Sequence, residues 1–140
     1  MKPALMFYPA ATLIGWSLFM LVWMEFVRFK SIISQKVPAG GPGTRGDALE
    51  GVLPDRVNWK AHNYNHLMEQ PTIFYPLVIM LAFSNFTQFD LNVAWVYTAL
   101  RICHSLWQSF INTLQVRFLL FIAYTIALIV MTARLFMMIG

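Results

Sequence analysis

The sequence predicts an all-α integral membrane protein, a bundle of four spanning helices. Two observations carry that expectation. Of 140 residues, 59% are hydrophobic and 16% aromatic, while only 11% are charged; soluble domains carry about a quarter. The apolar residues also gather into four stretches, each near the roughly 20 residues that a helix needs to cross the hydrocarbon core. The length suits a single domain, residues 1–140, whose apolar surface faces lipid.

The first helix is expected over residues 4–27. It is too long for the apolar part of a secretory signal and runs straight into Arg28-Phe-Lys30 with no small-residue cleavage site, so it reads as a retained anchor. Pro9 and Gly15 are tolerated by helices in lipid. Residues 28–56 turn polar, with Pro38, the run Ala39-Gly-Gly-Pro-Gly43 and Pro54. Such a loop of about 30 residues implies function or disorder. Its glycines lack a following Lys-Ser/Thr, which argues against a nucleotide phosphate loop. The second helix, 57–83, begins amphipathic and should bend at Pro71 and Pro76. The third covers 91–111 after a short turn. The fourth, 116–138, follows a tight link at Asn112-Thr-Leu-Gln115. Asn85-Phe-Thr87 fits a glycosylation sequon, a match too short to carry weight. The single cysteine, Cys103, allows no internal disulfide, and its place on the third helix makes it a packing residue.

The net charge is +4, and six of the ten basic residues (Arg28, Lys30, Lys36, Arg45, Arg56 and Lys60) fall in or beside the long loop. This is a signal of membrane orientation, not a nucleic-acid footprint. With Arg117 on the third-to-fourth link, it places that link and the 28–56 loop in the cytoplasm and both termini outside. Glu25 and Arg28, three apart, are expected to pair locally, and Arg134 to snorkel to the outer interface.

The informative residues are those a lipid-facing helix would avoid, since a charge at the bilayer centre costs at least about 2.5–3.5 kcal/mol. On the second helix Asn58, His62, Asn65 and Glu69 share one face, with Asn63 and His66 beside it; on the third, Tyr97, Arg101, His104, Gln108 and Asn112 share another. Arg117 opens the fourth helix with Tyr124 on the same face. Glu69 and Arg101 each lie about 16 Å from the loop-side helix ends at 1.5 Å per residue. They are therefore expected to neutralise each other, within a subunit or across an interface, and the two stripes to enclose a polar cavity open to the cytoplasm. Two other readings of these residues stand beside this one. The polar groups can serve only as glue between helices, or His62, His66, Glu69 and His104 can bind a metal or haem. A guanidinium beside a metal is unfavourable, so no metal ligands are assigned.

The stretch His62-Asn-Tyr-Asn-His-Leu-Met-Glu69-Gln-Pro-Thr-Ile-Phe-Tyr-Pro76 resembles the second-helix signature of the MAPEG family, the membrane-associated proteins in eicosanoid and glutathione metabolism, and most of all its bacterial branch. The resemblance spans essentially the whole chain. It implies a homotrimer of four-helix subunits in a bacterial inner membrane, with glutathione as co-substrate bound at the cytoplasmic side between neighbouring subunits. Glu69 matches the family's glutamate that contacts the glutathione amino group. Arg101 and His104 match an Arg-x-x-His on the third helix of the prostaglandin synthase members. Arg117 falls where those members hold or activate the thiol. Arg28 resembles the basic end of their first helix. His66 stands where the family usually has asparagine, with Asn65 one residue further back, and Gln108 where a tyrosine is often found.

The resemblance implies a glutathione transferase or peroxidase for lipophilic electrophiles or hydroperoxides. Arg117 is then the catalytic residue, and Glu69, Arg101, His104, His62, Asn65, His66, Arg28 and Gln108 are the binders. A non-catalytic lipid-binding or accessory protein on the same scaffold is the alternative.

Overall fold

A computed structural model of the chain describes residues 1–37, 40 and 45–140. Most of the glycine-proline run at 38–44 lies outside the described residues. The first helix, α1 (Ala4–Ser34), has 31 residues, about 46 Å at the α-helical rise and longer than the roughly 30 Å hydrocarbon core. It continues past residue 27, where the apolar run ends. Lipid compatibility and helix propensity are separate properties: arginine and lysine are unwelcome in lipid yet form helices well, and no proline follows until Pro38. The helix stops at Gln35, and Lys36 turns left-handed at φ 51°. At the other end Pro9 sits inside the helix, and its carbonyl accepts the Thr98 hydroxyl at 3.1 Å, a polar link between α1 and the third spanning segment.

After a short 3₁₀ turn, Gly46–Leu49, the second spanning segment divides into α2 (Asp55–Glu69) and α3 (Pro71–Ala82). The division falls at Gln70, because Pro71 lacks the amide that would bond Leu67 and instead takes the first position of the next helix, where that amide is not needed. The Thr72 hydroxyl bonds the Glu69 carbonyl at 2.6 Å, and the Gln70 amide reaches the Thr125 hydroxyl at 3.0 Å, pinning the joint to the last helix.

α4 (Gln88–Phe110) starts with a reciprocal cap in which Asp90 accepts the Thr87 N–H at 2.8 Å. The same carboxylate accepts Arg134 Nε at 2.8 Å from α5 (Leu114–Ile139). Arg134 is therefore an ion-pair partner of buried Asp90, not a snorkelling side chain. The Thr87-x-x-Asp90 spacing could have announced the cap; the contact with Arg134 required the fold. α4 ends in a left-handed Asn112, φ 57°, whose N–H bonds the Trp107 carbonyl at 2.8 Å. Asparagine is among the few side chains that accept this conformation readily.

α4 packs against α1, α2 and α5, most extensively against α5. The apolar core draws Leu13 and Met20 from α1, Phe74 from α3, Tyr97 from α4, and Tyr124 and Met131 from α5. Outside, Val22, Phe26, Phe118, Leu119, Phe136 and Met137 are exposed, far more apolar surface than a lone soluble protein would leave uncovered. Among the described residues, α1 and α5 are long and apolar enough to cross a membrane. With no strand among those residues, α1, the broken α2–α3 segment, α4 and α5 make the all-α, four-helix arrangement that the sequence predicts.

Candidate functional site

The two polar stripes meet opposite fates. On α4, Tyr97, Arg101, His104 and Gln108 are all buried, together with Ser105 and Ser109. Arg101 is 1% exposed. One of its Nη atoms donates to the His66 carbonyl in the last turn of α2, where carbonyls lack a full set of helical partners. The other lies 3.3 Å from His104 Nδ1 and donates to the Tyr124 hydroxyl at 3.2 Å, with the guanidinium carbon 4.8 Å above the Tyr124 ring. His104 packs edge-on against both His66 and Tyr124, and Tyr97 stacks on Phe74 at 4.2 Å. Arg101 thus ties α2, α4 and α5 together through neutral groups, while its own Nε has no partner among the described residues.

The expected pairing of Glu69 with Arg101 does not form within the chain. Glu69 instead contacts His66 Nδ1 at 3.1 Å, and its side chain is 64% exposed. The reason lies in the face that α2 turns inward. Asn63 and Leu67 point into the bundle, where Asn63 donates to the Ser105 hydroxyl at 2.8 Å, a hydroxyl that also accepts Trp16 Nε1 at 2.9 Å. With that face occupied, Asn65 and Glu69 are left outside and His62 and His66 half-buried. The sequence reading set Asn63 beside the stripe of the second helix but missed Ser105 and Trp16 and the contacts that join the three. Asn63 sits four residues before apolar Leu67, the one available signal that it belongs to the inward face.

The expected cavity between the stripes forms only at the loop-side end, where about 300 Å³ is lined by Asn58 and His62 of α2 and by Asn112 past the end of α4, and Arg101, His104 and Gln108 do not line it. A cavity of about 290 Å³ lies between α1, the 3₁₀ turn and α2, lined by Glu25, Arg28, Asp47, Glu50, Asn58 and His62 among others. Arg28 makes no ion pair with Glu25 among the described residues; it donates to the Gly46 carbonyl at 3.4 Å. His62 Nε2 meets Glu50 Oε1 at 2.6 Å. Asn58 is buried and donates to the carbonyls of Leu49 and Leu53, both at 3.3 Å.

Arg117 stands in the first turns of α5 and donates to Asn112 Oδ1 at 2.8 Å. A cation there opposes the helix dipole, which favours negative charge at that end, so helix stability does not account for it. Its Nε is buried without a partner among the described residues. Cys103 is exposed on α4, so it is not the packing residue that its position suggested. Among the described residues no cluster of three or more histidine, cysteine, aspartate or glutamate side chains is placed to hold a metal ion.

Of the candidate residues, then, Arg101, His104 and Gln108 are enclosed by the chain's own helices, His66 bridges inward and outward groups, and Arg28, His62, Asn65, Glu69 and Arg117 keep at least part of their side chains exposed. Neither the curated proteins nor the solved structures contain a significant match to the chain. Compared with known protein families, residues 6–137 match the MAPEG family. That match takes in all four helical segments and nearly the whole sequence, and the chain therefore belongs to the MAPEG family of membrane proteins.

Proposed function

We propose that the protein is a membrane-bound, glutathione-dependent transferase or peroxidase acting on lipophilic electrophiles or hydroperoxides, and that its site is completed by a neighbouring copy in a homotrimer. One observation carries this reading: Asn65 and Glu69 stay exposed beside half-buried His62 and His66, a polar, partly charged face on a chain that also exposes large apolar side chains such as Phe26, Phe118 and Met137. A carboxylate at the depth of Glu69 is costly beside lipid and calls for a polar occupant. Glutathione offers an ammonium for Glu69 and carboxylates for hydrogen-bond donors such as Arg28 and His62. The protein would then work with its long loop in the cytoplasm of a bacterial cell and both termini on the far side.

In this reading Arg117 holds the thiol as thiolate, since a nearby cation lowers a thiol's pKa and the thiolate is the nucleophile. Towards an electrophilic carbon, sulfur forms the new C–S bond and the leaving group departs with its electron pair. Towards a hydroperoxide, sulfur attacks the outer oxygen and the O–O bond breaks, giving an alcohol and a glutathione sulfenic acid, which a second glutathione reduces to the disulfide and water. Arg101, His104 and Gln108 then act from behind, Arg101 by fixing the His66 backbone and Tyr124. The test is calorimetric binding together with thiolate absorbance of the purified protein. Saturable binding at millimolar glutathione is expected, with the thiolate band lost in Arg117→Ala. An absence of binding at that concentration would leave the lipid-binding alternative in its place.

A further inference from the structure

The segment from the 3₁₀ turn to α2 touches two of the residues proposed to bind the glutathione carboxylates. Gly46 presents its carbonyl to Arg28, and Glu50 presents its carboxylate to His62. The approach of Gly46 is close: a Cβ on it would stand 3.0 Å from Arg28 Nη1. The segment is fixed at its far end by a buried anchor, with Leu53 tucked in and Asn58 holding the carbonyls of Leu49 and Leu53. Its near contacts are of another kind. The side chains of His62 and Glu50 are 43% and 58% exposed, and a polar contact so open to solvent adds little to stability. One end is therefore held firmly and the other lightly, over a cavity of about 290 Å³ that both ends line.

We propose that Gly46–Leu53 is a lid on the carboxylate-binding part of the glutathione site, hinged at Leu53 and Asn58, and that Glu50 is a built-in competitor for the position of a ligand carboxylate at His62. The proposal rests on the glutathione reading for the identity of the ligand, but not for the movement of the lid. A carboxylate on His62 and a carbonyl on Arg28 are the interactions that an incoming dicarboxylate would make itself, so ligand and lid exclude each other. The closed form keeps Arg28 and His62 engaged by the chain's own groups, and entry of the ligand costs only the exposed contacts, not the buried anchor.

The test separates movement from ligand. Ala61, a lining residue outside the proposed binding set, is changed to cysteine in a Cys103→Ser background. Its labelling by a negatively charged methanethiosulfonate is then timed with and without Glu50→Gln, and glutathione affinity is measured in both backgrounds. Labelling at least about fivefold faster with Glu50→Gln, and glutathione bound several-fold more tightly, is the expected result. Labelling unchanged by Glu50→Gln overturns the lid. Faster labelling with equal glutathione affinity in both proteins overturns the competition by Glu50. Faster labelling with no glutathione bound by either supports the lid and overturns the glutathione reading instead. Asn58→Asp, which retains an acceptor but loses the amide donor to Leu49 and Leu53, should also speed labelling, and supports the hinge if it does.

Discussion

The polar stripes of α2 and α4 look alike in sequence, each a run of charged and amide side chains at helical spacing, and the fold treats them in opposite ways. On α4 the stripe is consumed: Arg101 is shared among the His66 carbonyl, His104 and Tyr124, and Gln108 and Ser109 are enclosed. On α2 the inward positions go to Asn63 and Leu67, and Asn65 and Glu69 stay outside. A polar group buried among its own helices is a structural tie, whose loss leaves several neighbours without partners. A polar group left open on a lipid-facing chain is an unfilled contact. The same residue types therefore do different work according to the side of the helix that faces the bundle.

The sharpest way to break this comparison is Arg101→Ala. It strips partners from the His66 carbonyl, His104 and Tyr124 and leaves a void, so unfolding in mixed micelles should show a loss of about 3–5 kcal/mol. Arg101→Met, which refills the space without charge, should lose clearly less. A loss below about 1 kcal/mol in the alanine variant would mean that the α4 stripe is not the tie described. Glu69→Ala should show the reverse pattern. Its exposure predicts a stability change within about 0.5 kcal/mol, while the loss of a charged contact to ligand should weaken glutathione binding by about thirtyfold to hundredfold, or about 2–3 kcal/mol. If Glu69→Ala costs as much stability as Arg101→Ala while the protein that remains folded binds glutathione with unchanged affinity, the roles of the two stripes are exchanged.

The smallest effect expected is at Asn112, where one residue serves both stability and site. Asn112→Ala meets the left-handed backbone penalty of about 1–2 kcal/mol and releases Arg117. Asn112→Gly keeps the turn and releases Arg117 alone. Both should slow glutathione-dependent turnover by roughly threefold to tenfold, the scale of the net contribution of one ordinary hydrogen bond, but only the alanine variant should melt earlier. Equal turnover in the glycine variant and the unchanged protein would show that Asn112 does not position Arg117.

Much of the molecule was legible beforehand because lipid imposes a plain code. Long apolar runs become helices whose backbone groups are satisfied internally, and Pro71 marks the break between α2 and α3 by the amide it lacks. The end of α1 was less legible, since the apolar run stops at residue 27 while the helix, indifferent to lipid, continues to Ser34. At the candidate site, period 3.6 told which residues share a face but not where that face points. Glu69 and Arg101 were matched in depth and charge, and their pairing within the chain failed on rotation about the α2 axis alone. Glu50 with His62, and Asp90 with Arg134, lie 12 and 44 residues apart, and nothing local signals contacts at such separations.

By itself, then, the sequence determined the helical class, the helix-breaking prolines, the membership of a membrane family and the set of polar residues that lipid would not choose. These follow from hydrophobicity, backbone hydrogen bonding and helical period, which act within a few turns of the chain. Only the tertiary structure decided that α4 spends its polar residues on holding the bundle while α2 keeps its own at the surface. It decided too that the loop returns to cover Arg28 and His62. Packing made those choices, because a helix can bury only one side against its neighbours, and which side is buried depends on how those neighbours fit together.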